Sequence, residues 1–521
     1  MSSAPNIAVP SERVPLWPWA YIVALAYFAL HMVTATRYGY FRDALYYLAC
    51  AEHPAFGYVD QPPLFPLIAW FARHTLGTSL RALIFWPAVM GAARIVAIAA
   101  FARELGARRF GVAFAAVLGA TPAVWWVIDH QFAMNAFDPL FWIGCAYAIL
   151  RMINSRNPKL WLMFGAIAGL GLENKYSIAV FAFALLLGLL LTRERTLLFT
   201  PWLLAGGAVA LAIFLPNLIW NIQHHWPFLE LMHNIRVTGK DIVLPPAAYL
   251  TEQIVMMNPL SLPFWFGGLL FLFFSRNAKA YRAFGWAFVI CIAMFLAAHG
   301  KDYYSAPAYT IVLAAGALAT ERLLESLQRA NLRAILKPIC FASPLIGVAL
   351  LLPLVLPVLP LESFVRYQSH LPFHPPPSER GFVGATLPQY YADELPWQNE
   401  VAAVARVYDS LTPAEQAKTA IFCDNYGQAA AIDFFGPKYG LPKAISGHQN
   451  YFLWGPREYT GEIMIVVGQS ERHLRTEFAS VEVAATQQTP YALWYENQPI
   501  MLCRGLKQNL QTLWPLVKNW R

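Results

Sequence analysis

Residues 177–192 read SIAVFAFALLLGLLLT, an almost uninterrupted apolar run. The polar segment Glu173-Asn-Lys-Tyr176 stands immediately before it, and Arg193 and Arg195 follow it. Continuous apolar runs that approach about 20 residues are typical of helices that cross a bilayer. The stretch therefore predicts a membrane-spanning helix with an uncommon polar sequence at one end and basic residues at the other.

Runs of this kind recur along most of the chain, which has 521 residues, 58% of them hydrophobic and 13% charged. The mean hydropathy is +0.43. The runs are continuous rather than alternating, so they indicate helices and not the strands of a transmembrane barrel. The sequence predicts a polytopic α-helical membrane protein. The runs lie near 18–36, 63–76, 82–102, 110–128, 138–153, 160–172, 177–192, 200–219, 260–274, 283–298, 308–320 and 338–360.

The placement of charge predicts which ends of these helices face the cytoplasm. The net charge is +8, but Lys and Arg stand in short loops between apolar runs rather than on a basic face that would suit nucleic acid. Cytoplasmic loops carry the excess of Lys and Arg. The other loops, which alternate with the basic ones, therefore face outside. In a Gram-negative cell this is the periplasmic side of the inner membrane. Those loops are 43–60, 129–138, 173–176, 221–246 and 299–304.

The composition changes after Pro360. We expect a transmembrane domain over residues 1–360, a linker over 361–377, and a soluble periplasmic α/β domain over 378–521. Within the last, strands are predicted at 419–423, 462–467, 481–485 and 500–503, with helices at 428–435 and 471–478. Cys423 and Cys503 fall in this part and could form one disulfide if it is extracytoplasmic. At the other end, polar residues 1–17 precede a first helix that we expect to be retained.

Three of the acids in the predicted outer loops, Asp43, Asp60 and Asp138, stand out, and acids beside a bilayer are functional candidates by default. Asp43 could act as a general base on an acceptor hydroxyl; its plainer interpretation is an ion pair with Arg42 or a helix cap. Asp60, before Gln61-Pro62-Pro63, and Asp138, before Pro139, could each simply cap the following helix. What favours function is that all three acids fall on one side of the membrane.

Two cationic segments share that side. Lys175 could neutralise an anionic ligand such as a lipid phosphate, or it could pair with Glu173. The segment His299-Gly-Lys301-Asp-Tyr303-Tyr304 adds a second lysine and two tyrosines, although tyrosine is also ordinary at a membrane interface. These residues suit a phosphate flanked by an isoprenoid or a sugar. We therefore expect His299, Lys301, Tyr303 and Tyr304, with Asp60 and Lys175, to bind the donor substrate.

Cofactor motifs are sparse. The histidines show no metal-ligand spacing, and a divalent metal ion is possible through Asp43 and Asp138 without being required. There is no G-x-x-x-x-G-K-[ST] phosphate loop and no G-x-G-x-x-G fingerprint. Nucleotide-driven chemistry is not indicated, and the donor should be a molecule that is available at the outer face of the membrane.

Together these segments resemble the bacterial glycosyltransferase family 39, the protein-O-mannosyltransferase-like branch of the GT-C membrane glycosyltransferases, which includes lipid A aminoarabinose transferases. Gln61 and Glu173-Asn174 differ from the residues that aminoarabinose transferases carry there. The residues that carry the resemblance are Arg42-Asp43, Asp60-Gln-Pro-Pro-Leu64, Asp138, Leu172-Glu-Asn-Lys175, Lys301-Asp-Tyr-Tyr-Ser-Ala-Pro307 and Asn425-Tyr-Gly-Gln-Ala429.

The resemblance implies a GT-C-like fold of eleven to thirteen transmembrane helices with a soluble outer domain. It implies sugar transfer from a polyprenyl-phosphate donor to a hydroxyl of lipid A or lipopolysaccharide, another glycolipid, or a protein. Asp43 matches the catalytic acid of the first outer loop, Asp138 the acid of the second, and Lys175 the lysine at the donor phosphate. Direct displacement, with Asp43 as the base, would invert the anomeric centre.

Two other function classes remain open from the residues alone. A transporter or lipid flippase would use the acids as proton relays near the middle of the membrane, whereas here they cluster at one face. A polymerase or ligase of envelope glycans would use a similar scaffold but give products of increasing length. A transferase adds one sugar in each event, so product length separates these two enzymes.

Overall fold

The computed structural model describes residues 18–371, 377 and 379–521. The expectation for residues 1–17 lies outside the described residues, as do positions 372–376 of the predicted linker and position 378 of the predicted α/β domain.

Sixteen α-helices precede residue 360 in the described part of the chain. In chain order they are α1 (Trp19–Thr34), α2 (Arg42–Ala51), α3 (Leu64–Thr75), α4 (Leu80–Glu104), α5 (Arg109–Ala120), α6 (Ala123–Ile128), α7 (Asp138–Ser155), α8 (Leu160–Asn174), α9 (Ile178–Leu190), α10 (Pro201–Gln223), α11 (Pro227–Thr238), α12 (Pro246–Met256), α13 (Leu262–Phe274), α14 (Arg282–Ala297), α15 (Tyr309–Ser326) and α16 (Ala330–Val355).

The rest of the chain is mixed α/β. Its helices are α17 (Leu361–Ser369), α18 (Gln389–Ala392), α19 (Trp397–Asp409), α20 (Pro413–Gln416), α21 (Tyr426–Phe435), α22 (Gln449–Trp454), α23 (Glu471–Glu477) and α24 (Leu510–Leu513), and its strands are β1 (Thr419–Cys423), β2 (Ile463–Val467), β3 (Phe478–Ala485) and β4 (Ile500–Leu506). The four strands and both helices predicted in this region are therefore present.

The fold divides into two compact units that each combine distant parts of the chain. Unit one comprises the described residues up to Ala35 together with Ile84–Leu215 and Val243–Leu359. Unit two comprises Thr36–Leu83, Pro216–Ile242 and Pro360–Arg521. The predicted boundary at residue 360 coincides with the start of the last segment of unit two. The other two segments of that unit come from residues 1–360, for which the sequence predicts the transmembrane domain.

The predicted membrane class is confirmed. Among the described residues, five helices are long and apolar enough to cross a membrane, or six if the bent pair α12 and 259–274 forms one span. The predicted total of eleven to thirteen is larger, because other apolar helices are shorter than the roughly 20 residues of a straight crossing. The five are Leu80–Glu104, Met134–Ser155, Pro201–Gln223, Arg276–Ala297 and Ala330–Val355; the shorter ones are α1, α5, α8 and α9.

Small residues bring helices of unit one into close contact. At Gly268 on α13, an added Cβ would overlap the carbonyl oxygen of Val312 on α15. At Gly316 on α15, it would overlap the carbonyl oxygen of Phe264 on α13. Glycine lets helix backbones approach in membranes, where packing rather than water exclusion holds helices together. The two glycines therefore set the distance between α13 and α15.

We expect Gly268→Val to lower the melting temperature of the detergent-solubilised protein, because the side chain would push α15 away at a cost of about 1–3 kcal/mol. Its neighbour Gly267 provides a matched control, since an added Cβ there meets no atom within 4 Å. Gly267→Val should leave the melting temperature nearly unchanged. Equal shifts for the two variants would contradict this account of the contact.

Unit two is built on a four-stranded sheet with strand order β1-β2-β4-β3. Strands β1 and β2 are parallel, and β4 is antiparallel to both β2 and β3. Alternate strand residues enter two separate apolar cores, one on each face of the sheet. Leu45, Tyr46, Ala49 and Cys50 of α2 join the first core with residues of α19 and α21. Helix α2, early in the sequence, is therefore part of the sheet-containing unit.

The disulfide that the sequence allowed between Cys423 and Cys503 is not formed, and all six cysteines are free. Cys423 ends β1 and Cys503 lies on β4, with β2 between these strands. Cys423 belongs to one core and Cys503 to the core on the opposite face. Two thiols on opposite faces of a sheet cannot meet disulfide geometry without rearranging the backbone.

Candidate active site

The predicted site residues form two groups, one in each unit. Unit one holds Asp138, Lys175, His299, Lys301, Tyr303 and Tyr304, and unit two holds Asp43 and Asp60.

Asp138 stands at the first residue of α7, directly before Pro139. The N-cap of α7 is Phe137, and Oδ1 of Asp138 has no hydrogen-bond partner among the described residues, so the plain capping role does not apply to Asp138. Its carboxylate is buried and accepts a hydrogen bond of 3.1 Å from the hydroxyl of Ser177. Burying a polar group is costly unless it is hydrogen-bonded, and the bond from Ser177 compensates one oxygen of this carboxylate.

Lys175 lies between α8 and α9, and its ammonium group is held by polar and aromatic partners. It donates a hydrogen bond of 2.6 Å to Oδ1 of Asn135. Its Nζ lies 4.5 Å from the centre of the Tyr304 ring and 5.9 Å from that of Tyr303. Both distances are within the range of cation–π attraction. Lysine and the two tyrosines, separate in sequence, therefore form one cationic and aromatic cluster.

Glu173, the alternative partner of Lys175, forms no hydrogen bond with it. Glu173 is buried, and neither of its carboxylate oxygens has a hydrogen-bond partner among the described residues. The simple ion pair between Glu173 and Lys175 is therefore not the explanation for this lysine. The charged groups that act on Lys175 are instead Asp138 and Lys301.

The tyrosines are positioned by a 3-10 helix, Asp302–Ala308, that is anchored to α12. Ser305 of this segment donates a hydrogen bond of 2.9 Å to Gln253, and Gln253 donates one of 3.0 Å to the carbonyl of Asp302. Lys301 directly precedes the helix and acts electrostatically on Lys175. His299 is exposed in the preceding turn, with a φ of 55°. No described contact joins its imidazole to Lys175 or the tyrosines.

Asp43 lies in the first turn of α2, in unit two, and remains partly exposed. Its Oδ1 accepts a hydrogen bond of 2.7 Å from the phenol of Tyr426. The Nε of Arg42 is 3.7 Å from the same oxygen, while Nη2 of Arg42 is 3.4 Å from the carboxylate of Asp393. Arg42 therefore does pair with Asp43, but loosely, because it is shared with a second and fully buried acid.

Asp60 is held by an equivalent tyrosine. The phenol of Tyr46 donates a hydrogen bond of 3.0 Å to Oδ1 of Asp60, and Tyr46 in turn accepts one from Asn450. Asp60 does not cap α3, which begins after Pro63 with no side-chain cap. The pKa of Asp60 is raised to about 7, chiefly by burial; the Tyr46 hydrogen bond lowers it and the charge of Asp43 raises it. Asp60 can therefore hold a proton near neutral pH.

More buried acids lie beyond Arg42. Burial raises the pKa of Asp393 to about 7, although Arg42 lowers it. Burial also raises the pKa of Glu496 to about 8, and that of Glu400, where the charge of Glu496 adds to the effect. Groups of this kind favour the neutral form near pH 7. The guanidinium of Arg42 therefore pairs with Asp43 and Asp393. The more distant Glu400 and Glu496 hold protons.

The sequence did not single out several residues that complete these groups. Asn135 and Ser177 each stand within three residues of a predicted site residue, so proximity in sequence was the available signal. Tyr426 lies in the motif Asn425-Tyr-Gly-Gln-Ala429, which the resemblance had marked without assigning it a role. Within the described ranges, 18–371 and 379–521, no group of three or more His, Cys, Asp or Glu residues could hold a metal ion.

The chemistry of each group follows from its contents. The unit-one group offers a lysine on a tyrosine face, which suits an anionic ligand with an adjoining apolar or sugar part. The unit-two group offers a partly exposed carboxylate that is fixed by a phenol, which suits removal of a proton from a hydroxyl.

Comparisons with known proteins give a family and a curated relative to which this chain is similar. Residues 60–220 match the family described as dolichyl-phosphate-mannose-protein mannosyltransferase. The lipid A galacturonosyltransferase RgtD of Rhizobium johnstonii is 28% identical over 190 residues, which is 36% of this chain and 39% of that protein. The chain thus spans about two fifths of the length of that curated relative.

Solved structures confirm the predicted fold class. The crystal structure of ArnT from Cupriavidus metallidurans bound to undecaprenyl phosphate has a TM-score of 0.57 and 14% identity, covering 93% of this chain and 98% of that one. The apo structure of the same protein also has a TM-score of 0.57, with 12% identity and coverage of 93% and 97%. At such identities the likeness is one of fold, and it extends over nearly the whole chain.

Proposed function

We propose that this chain, whose residues 60–220 match the family described as dolichyl-phosphate-mannose-protein mannosyltransferase, is a membrane glycosyltransferase that transfers a sugar from a polyprenyl-phosphate donor to a hydroxyl of an envelope lipid. Lipid A is the favoured acceptor, because the curated relative is named as a lipid A galacturonosyltransferase. The ArnT structure with undecaprenyl phosphate supports a donor carried on a polyprenyl phosphate.

The observation that carries this proposal is the position of Lys175 between Asn135 and Tyr304, within the segment matched to the family. The leaving group of the reaction is a lipid phosphate, whose negative charge grows as the glycosidic bond breaks. A preorganised cation at that charge stabilises the transition state more than the ground state. Lys175, with Lys301 nearby, is arranged to do this, and Tyr303 and Tyr304 would contact the prenyl or sugar part.

Asp43 is the proposed base. It takes the proton of the acceptor hydroxyl while the oxygen of that hydroxyl bonds to the anomeric carbon. The bond between that carbon and the phosphate oxygen breaks, and its electron pair stays on the oxygen of the released polyprenyl phosphate. A single displacement of this kind inverts the anomeric centre. Asp138 is proposed as the second acid of the site and Asp60 as a contact for the donor.

The positive-inside pattern supports an orientation with this chemistry on the periplasmic face of the inner membrane. Polyprenyl-phosphate sugars require no nucleotide at the site of transfer. This agrees with the absence of nucleotide-binding motifs from the sequence.

Mass spectrometry of envelope lipids and proteins from cells with and without the chain tests the proposal. We expect lipid A to gain the mass of one sugar residue when the wild-type chain is present, and no gain when Asp43→Asn replaces it. The size of the gain identifies the sugar. A mass gain on protein would change the acceptor class from lipid to protein. A ladder of masses would indicate a polymerase. No covalent gain on either lipid A or protein would overturn the proposal.

A further inference from the structure

Tyr426 stands where a sheet of this kind commonly presents functional residues. It follows the carboxyl end of β1 by three residues, beside the carboxyl end of the parallel strand β2. The amide of Asp424 donates a hydrogen bond of 3.0 Å to the carbonyl of Val467, the last residue of β2. In α/β sheets, ligands are bound outside the carboxyl ends of parallel strands. Helix α21 begins at Tyr426 itself, where a capping box between Asn425 and Gln428 fixes its first turn.

The phenol of Tyr426 is directed at Asp43 and constrained on several sides. Besides its 2.7 Å hydrogen bond to Asp43, the ring lies 4.6 Å from that of Tyr46 and 5.3 Å from the guanidinium carbon of Arg42. Tyr46 in turn donates to Asp60. Two tyrosines whose rings are in tilted contact thus each donate a hydrogen bond to one of the two predicted acids of unit two.

The backbone of Tyr426 is fixed as firmly as its ring. Its amide donates a hydrogen bond of 3.2 Å to Nδ1 of His448, and Nε2 of His448 donates one of 3.1 Å to the carbonyl of Arg521. Burial lowers the pKa of His448 to about 3, so the imidazole is neutral and Nδ1 can accept. The histidine therefore holds one tautomer over the physiological pH range.

Gly427 allows this part of α21 to pack against α2. A Cβ added there would lie 2.6 Å from Cγ of Arg42 and 2.9 Å from Cη2 of Trp397. Any other residue would force the two helices apart or displace Arg42. The close approach keeps the phenol of Tyr426 within hydrogen-bond distance of Asp43.

We propose that Tyr426 is a positioning residue for the proton transfer, which it serves by fixing Oδ1 of Asp43 and stabilising the ionised carboxylate. This inference rests on the proposed function, in which Asp43 is the base. The acceptor hydroxyl gives its proton to Asp43, and Tyr426 keeps its own proton throughout. Burial raises the pKa of Tyr426 well above its usual value, so the phenol is a donor at every working pH. The C-terminal part of the chain thereby has a role in the reaction.

A second buried tyrosine offers a matched comparison. Tyr451 donates a hydrogen bond of 2.9 Å to Oδ2 of Asp433, in the same unit and the same apolar core as the contacts of α21. Tyr451→Phe therefore removes a bond of the same type with a similar effect on folding. It leaves the bond between Tyr426 and Asp43 in place.

The test measures initial rates of lipid A modification as a function of pH, in membranes that contain the full-length chain and the cell's own polyprenyl lipids. A hydrogen bond to a charged group contributes free energy equivalent to about one pH unit. Its loss should lower kcat/KM about tenfold at the acid end of the pH profile and move the acid limb of that profile up by about one pH unit. We expect this of Tyr426→Phe, and an unmoved limb for Tyr451→Phe. Neither variant alters the other charged and titratable groups that surround Asp43 and Tyr426, which are Arg42, Tyr46, Asp60, Asp393, His448 and Tyr495.

A third variant separates an effect on the hydrogen bond from an effect of poor folding. Replacing Tyr426 by 3-fluorotyrosine keeps the shape and makes the phenol a stronger donor, so the acid limb should move the opposite way. If the acid limb of the pH profile does not move for either Tyr426 variant while Asp43→Asn is inactive, the positioning role of Tyr426 is wrong and the proposed function still stands. The same would follow if Tyr426→Phe and Tyr451→Phe lost activity equally with unmoved limbs. A wild-type chain that modifies nothing, or an Asp43→Asn variant that remains active, would instead overturn the proposed function and with it this inference.

Discussion

Asp43→Asn is expected to reduce kcat for sugar transfer by about 10²–10⁴-fold, the usual contribution of a general base. Asparagine keeps the size of the side chain and an oxygen that can accept the hydrogen bond from Tyr426, so the local packing should persist. It cannot take a proton from the acceptor hydroxyl. The effect should therefore fall on kcat, with little change in the KM for the donor. Steady-state rates with the donor identified by mass spectrometry provide the measurement.

Glu52 supplies the control for this substitution. It is an acid that follows α2 by one residue, and it forms ion pairs with Arg73 and Lys443 at an exposed position. Exposed ion pairs contribute about 0–1 kcal/mol, so Glu52→Gln should fold and turn over like the wild type. Transfer by Asp43→Asn at half the wild-type rate, with equal amounts of protein, would rule out Asp43 as the base.

Lys175→Met is expected to lower kcat by about 10²–10³-fold, the loss that follows removal of one preorganised group at a developing charge. It should also weaken binding of undecaprenyl phosphate, because methionine keeps the apolar stem over Tyr304 but removes the ammonium group. Lys175→Arg should recover only part of the activity, since its planar head cannot occupy the place of a compact ammonium beside Asn135. Titration with undecaprenyl phosphate and steady-state kinetics measure both effects.

Lys159→Met is the matched control, because it removes an exposed lysine whose Nζ lies 5.6 Å from the centre of the Trp202 ring. It should change neither binding nor turnover. If Lys175→Met bound undecaprenyl phosphate as the wild type does and kept kcat within about threefold, the role of Lys175 at the donor phosphate would be wrong. Asp43→Asn should by contrast retain that binding, which separates the two roles.

Much of this arrangement was predictable from local sequence. The run at 177–192 predicted α9 within two residues of its bounds, and 138–153 predicted the start of α7 at Asp138 itself. The run at 110–128 was read as one helix, whereas Thr121-Pro122 divides it into α5 and α6. Proline lacks the amide hydrogen that continues a helix.

The candidate site was predictable in its acids and its lysine, and much less so in their partners. Lys175 could be singled out as a charge that runs against the positive-inside pattern. Its hydrogen-bond partner could not be predicted, because Glu173 is the acid near it in sequence, whereas Asn135, which bonds to it, lies 40 residues away. Ser177 at Asp138, and Tyr46 at Asp60, were likewise decided by how helices pack.

The sequence by itself determined the membrane class, the positions of the long apolar helices and of the four strands, and the side chains available for chemistry. It could do so because hydropathy and strand propensity act over a few consecutive residues. Only the tertiary structure decided that α2 packs in the core of the C-terminal sheet, that Cys423 and Cys503 lie on opposite faces, and that Tyr426 reaches Asp43 across 383 residues of chain. Such contacts depend on which apolar faces bury each other, and no short stretch of sequence encodes that choice.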